Sequence, residues 1–94
     1  MSKKVIIDIE AHALFGTLER GLKFWLNYYE AKERAFKAVR AGKPAKRKHL
    51  SKKGKTYYYY FQDNLSFYVI CREKELEEYV KIVIKTVIIE IGRE

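Results

Sequence analysis

The sequence predicts an α+β domain in which an N-terminal strand and two helices precede a curved antiparallel sheet. Three observations carry this. Val5, Ile7 and Ile9 alternate with Ile6, Asp8 and Glu10, the period of two of a half-buried strand. Apolar residues then recur at helical spacing as far as Ala41. After Pro44 the chain turns to runs rich in β-branched and aromatic residues, which suit a pleated surface.

The first helix is expected from Ala11 to Arg20, with Ala11, Leu14, Phe15 and Leu18 facing inward. Gly21 stands where a C-cap or tight turn would be. A second helix is expected over residues 22–41, burying Leu22, Trp25, Leu26, Tyr29, Phe36 and Val39, with Lys23, Asn27, Glu30, Arg34 and Lys37 in solvent. Pairs Glu30 to Arg34 and Glu33 to Lys37 support it, and Gly42 and Pro44 end it.

Ala45 to Leu50 reads as a short edge strand, and Ser51 to Lys55 as a polar turn into a strand from Thr56 to Gln62. Asp63 and Asn64 turn the chain into Leu65 to Arg72, where Leu65, Phe67, Val69 and Cys71 share one face. Cys71 is thus expected as a small buried hydrophobe rather than a nucleophile. Glu73 to Glu78 is expected as a turn, and Tyr79 to Ile91, apolar on both faces after Thr86, as a strand near the middle of the sheet. The run Tyr57, Tyr58, Tyr59, Tyr60 and Phe61 puts aromatic side chains on both faces. One set can fill the core; the other can stack on bases, lie in an interface or reach solvent.

Ninety-four residues make a single domain spanning 1–94. One cysteine allows no internal disulfide, and with two histidines beside it supplies no structural zinc site. No metal or cofactor is expected, because metal-ligand spacing, a Gly-rich phosphate loop and paired carboxylates are all missing from the sequence. No apolar run approaches the roughly 20 residues of a membrane span, and the expected location is the cytoplasm. Plentiful Lys, Glu and Ile with scarce Gln, Cys and Met would also suit a heat-tolerant protein.

Charge is distributed unevenly. Residues 32–55 hold eleven of the twenty Lys and Arg residues and one acidic residue, Glu33, so that window carries +10 and the remainder −2 of the net +8. Such a segment attracts polyanions and releases counterions from phosphates. RNA is the expected partner, with Lys43, Lys46, Arg47, Lys48, Lys52, Lys53, Lys55 and Arg72 as the candidate binding residues.

The segment HALFGTLERGL, His12 to Leu22, resembles the HAxxRMxERGI signature of a small branch of the RelE/ParE toxin superfamily. His12, Ala13, Glu19, Arg20 and Gly21 match in register, and VKIVIKTVIIEIGR resembles that branch's last strand. Gly16 replaces the signature's arginine, and the second helix is longer than expected. The resemblance implies a RelE/ParE-like fold and an endoribonuclease that cuts RNA, ribosome-bound or free, without a metal. An acidic antitoxin would be its partner. It also implies His12 and Arg20 as catalytic candidates. Arg93, by its place near the end of the last strand, and His49, among Lys46, Arg47 and Lys48, are further candidates. Structural roles stand beside these: a backbone hydrogen bond for His12, a helix C-terminal contact for Arg20, and exposed strand ends for Arg72 and Arg93. Two other functions remain open on the same scaffold, a non-catalytic nucleic-acid-binding module and a homodimer built by pairing edge strands or tyrosine-rich faces.

Overall fold

Asp63 and Asn64 both take left-handed backbone, with φ of 52° and 63°, as the two central residues of a type I′ hairpin turn must, and Asp and Asn tolerate that region better than other non-glycine residues. In the computed structural model, which describes residues 4–41 and 56–93, this turn closes β2 (Thr56–Gln62) onto β3 (Leu65–Glu75), with Gln62 opposite Leu65. The strand β4 (Tyr79–Ile91) pairs antiparallel with β3, and β1 (Lys4–Ile9) joins the far side of β4 in parallel. The α+β order is as expected, but β1 makes the sheet mixed, in the order β1-β4-β3-β2. Strand β4 is central, as its two apolar faces require. Strand β3 outruns its expected end at Arg72, because Glu73, Lys74 and Glu75 keep pairing with Ile82, Lys81 and Val80. The expected edge strand Ala45 to Leu50 and the turn after it lie outside the described residues.

Helices α1 (Ala11–Leu22) and α2 (Tyr28–Ala41) cover one face of the sheet. There Phe67, Val69, Cys71, Ile84 and Val87 are fully buried, and Ile7, Ile9, Tyr58 and Tyr60 pack around them. The faces of both helices differ from expectation. Helix α1 buries Ala13, Thr17 and Gly21, while Phe15 is 63% exposed. Helix α2 buries Ala31, Arg34, Ala35, Ala38 and Val39. Between them the expected long helix breaks: Trp25 has φ 64° and is 94% exposed, and Tyr29 and Leu22 are also exposed.

The reason is the closeness of the helices. A Cβ added to Gly21 would lie 2.7 Å from that of Ala31, so the interface has room only for small residues. The large side chains of β3 and β4 fill the core instead. Gly21 therefore serves as a contact surface inside α1 rather than as its cap. Helix α2 starts where it does because Asn27 Oδ1 accepts from the Glu30 amide at 2.9 Å while Glu30 Oε1 accepts from the Asn27 amide at 3.1 Å, a reciprocal capping box. Glu30 is thus engaged at the cap, and Arg34 points inward, its Nη2 2.6 Å from Asp63 Oδ2 and its Nη1 donating to the Gln62 carbonyl at 3.3 Å. Glu33 accepts from Arg40 at 2.7 Å.

Three hydroxyls of the tyrosine run find protein partners: Tyr58 donates to Glu73, Tyr60 to Gln62 at 2.6 Å, and Tyr59 lies 2.9 Å from Ser66 Oγ. Burial pushes the Cys71 thiol up from 9.0 to about 12, with the charge of Glu73 adding to the effect. A raised folded pKa contributes stability below pH 9.0 that is lost as pH rises towards 12. The melting temperature should therefore fall more steeply across that window in the parent than in Cys71→Ala. Iodoacetamide should modify Cys71 only in denaturant, and rapid alkylation of the native protein would place the thiol outside the core.

Candidate functional site

A β-bulge builds a group of charges around Glu10. On β3, Ile70 and Cys71 are adjacent, but they face Thr86 and Ile84 on β4, so Lys85 is left without a partner in the ladder. A bulge of this kind re-aims a side chain. Lys85 Nζ donates to Glu10 Oε1. Glu10 ends β1: its amide donates to the Ile84 carbonyl at 3.1 Å and its carbonyl accepts from the Leu14 amide at 2.9 Å, the first bond of α1. As the N-cap residue its side chain makes no cap hydrogen bond. Its second oxygen, Oε2, lies 3.3 Å from His12 Nδ1.

The bond from Lys85 is the main cause that holds the Glu10 carboxyl below its ordinary value of 4.5. Partial burial opposes it, and the charges of Lys85, His12 and Arg72 reinforce it. Glu10 is therefore a carboxylate at neutral pH. The approach of His12 is a charge contact rather than a hydrogen bond, on a side chain 74% exposed, and a neutral imidazole there keeps one ring nitrogen with a free lone pair. An imidazole against a carboxylate that also holds the Lys85 ammonium has the parts needed to take a proton and to face a phosphate.

Of the residues proposed from sequence, His12 lies here against Glu10, while Arg72 reaches Glu10 only through its charge, as the smallest of the causes acting on that carboxyl. Arg20 does not join them: its Nη1 donates to the Val87 carbonyl at 2.7 Å, pinning α1 to β4. In doing so it lies over Gly16, where an added Cβ would be 3.1 Å from Nη1. Arg93 follows the far end of β4, its guanidinium 4.7 Å from the Phe61 ring centroid. Eight residues of extended chain, roughly 26 Å, separate it from Lys85. His49, Lys43, Lys46, Arg47, Lys48, Lys52, Lys53 and Lys55 lie outside the described residues. Glu10 and Lys85 are the members the sequence reading passed over. Lys85 could have been noticed as a cation between the apolar runs of a central strand, where a charge needs a partner.

No group of three or more His, Cys, Asp or Glu placed to hold a metal ion occurs among the described residues. No described helix is long and apolar enough to cross a membrane. Compared with known protein families, curated proteins and solved structures, the chain matches none.

Proposed function

We propose that this protein binds RNA and cleaves it without a metal ion, as a toxin-type endoribonuclease. The observation that carries the reading is the ionised Glu10 held between Lys85 and His12, with the charge of Arg72 acting on it from further off. The His12 imidazole takes the proton of a ribose 2′-hydroxyl, and the 2′-oxygen attacks the adjacent phosphorus. The P–O5′ bond then breaks, and the departing 5′-oxygen takes a proton from water or from the Lys85 ammonium. Arg72 and Lys85 offset the charge that builds on the phosphorane oxygens. Products are a 2′,3′-cyclic phosphate and a 5′-hydroxyl. The +10 window at residues 32–55 draws the polyanion to the protein, and the likeness of His12 to Leu22 to the toxin signature supports the same chemistry. On this reading an acidic antitoxin and RNA on the ribosome are the natural partners.

The test is to incubate the purified protein with free RNA and with translating ribosomes in EDTA. Cyclic-phosphate ends are expected from the parent and not from His12→Ala. The same yield from both proteins, or none from either, would remove the enzymatic reading. A non-catalytic nucleic-acid-binding module is the second reading, favoured by the use of Arg20 to tie α1 to Val87 and by Gly16 in the place of the signature's arginine. It predicts RNA binding that weakens steeply with salt and leaves the RNA intact.

A further inference from the structure

Among the described residues, strand β1 is an edge left open to pairing. No described strand pairs with it on the side away from β4. Its register with β4 is unbroken from Lys4 to Ile9, with no bulge and no proline, the usual devices that spoil a sheet edge. Val5 is 57% and Ile6 44% exposed. The opposite edge, β2, differs, since its residues are buried or half-buried.

The outward groups can be identified. The Glu10 amide donates to β4, and parallel strands alternate, so the amides and carbonyls of Lys4, Ile6 and Asp8 face β4 while those of Val5, Ile7 and Ile9 point away. The Ile9 amide is already met by its neighbour, Asp8 Oδ1, at 2.8 Å. Val5 and Ile7 are left with outward donors and acceptors.

We propose that β1 is the seam of a homodimer, in which two copies pair antiparallel about a twofold axis at Ile6. This register sets Val5 against Ile7 of the second copy, both with outward backbone groups, as hydrogen-bonded pairs of an antiparallel ladder require. Ile6 meets Ile6 on the axis. Lys4 falls opposite Asp8, twice by symmetry, on the same face as Ile6. The six-residue strand thus carries one cation and one anion equidistant from its centre, and antiparallel pairing turns that arrangement into two cross-strand ion pairs. The strand is locally neutral, and the chain's excess positive charge sits in residues 32–55. On the helix side an apolar pocket of about 450 Å³, lined by Val5, Ile7, Val39, Arg40, Tyr58 and Ile82, borders the seam, so Val5 and Ile7 of the second copy would extend its lining. The argument rests on the geometry of β1 and is independent of RNA cleavage. His12 and Lys85 lie outside the paired stretch.

Sedimentation of the purified chain at high micromolar concentration should show a dimer. Lys4→Asp and Asp8→Lys each replace two attractive pairs with two like-charge pairs. Either alone should weaken dimerisation about tenfold, with circular dichroism and the melting temperature of the dilute monomer unchanged. The double variant Lys4→Asp/Asp8→Lys restores both pairs and should restore the dimer. Under mild oxidation Ile6→Cys should form an intermolecular disulfide, because that residue meets its own copy on the axis, whereas Asp8→Cys should not. A parent monomeric across the concentration range, or a double variant no better than the singles, would overturn the proposal.

Discussion

Phe67→Ala is expected to lower the stability of this domain by about 3–5 kcal/mol, while Trp25→Ala should change it by less than about 0.5 kcal/mol. Phe67 is completely buried, between Tyr60 on β2 and Ile89 on β4 and beneath the helices. Removing its ring loses contacts on every side, and a sheet tied by hydrogen bonds to both neighbours has little freedom to collapse into the space. Small domains have about 5–15 kcal/mol in all, so the variant should be close to unfolding at body temperature. Trp25, by contrast, is 94% exposed in a left-handed turn. Trp25→Gly should be neutral or slightly stabilising, because glycine adopts positive φ without the Cβ penalty. Urea titrations followed by circular dichroism would decide between them. Fluorescence is the weaker probe, since the chain's one tryptophan is in water before unfolding as well as after. Greater damage from Trp25→Ala than from Phe67→Ala would mean that the helices present a different face to the sheet.

His12→Ala is expected to slow RNA cleavage by about 10²–10⁴-fold, with affinity for RNA nearly unchanged. Glu10→Gln should also cost rate, because the amide keeps the shape of the carboxylate but not the charge that orients the imidazole. Lys85→Ala gives the more diagnostic result. In the parent, Glu10 is held below its ordinary value chiefly by Lys85. Without the ammonium its carboxyl returns towards 4.5, and the rate should fall because the phosphorane loses a neighbouring cation. The same shift has a stability sign: a depressed folded pKa contributes stability above the unfolded value that is lost as pH falls through the folded one. Glu10 and Lys85 are each about a third exposed, so the stability effect should be small and the kinetic effect large. Equal rates in all three variants would show that the cluster holds β1 and α1 together and does no chemistry.

Much of the fold can be read in the residues because it depends on local pattern. Asp63 and Asn64 announce a turn, the alternation of Leu65, Phe67, Val69 and Cys71 announces a strand that sets these four on one face, and the doubly apolar run after Thr86 announces a central strand. Each of these is met in the structure. The start of α2 was also legible, in the spacing of Asn27 and Glu30, but the apolar residues around it, Trp25 above all, argued more loudly for a continuous helix. Hydrophobicity ranks large side chains as core. It does not record that two helices approach at Gly21 and Ala31 too closely to admit them.

The candidate site divides in the same way. His12 and Arg72 were marked by residue type and position. The grouping of His12, Glu10, Lys85 and Arg72 was not, because it joins the end of β1 to a bulge seventy-five residues further on. A bulge is a property of how two strands share a ladder, and no window of one strand contains it. The sequence by itself determined the order of strands and helices, the buried cysteine, the tyrosine run and the uneven charge, all consequences of side-chain type at short range. Only the tertiary structure decided that Arg34 turns inward to Asp63, that Arg20 is tied to the Val87 carbonyl, and that Lys85 meets Glu10. Each of those contacts joins residues far apart in the chain, and it exists only once the sheet has brought their backbones together.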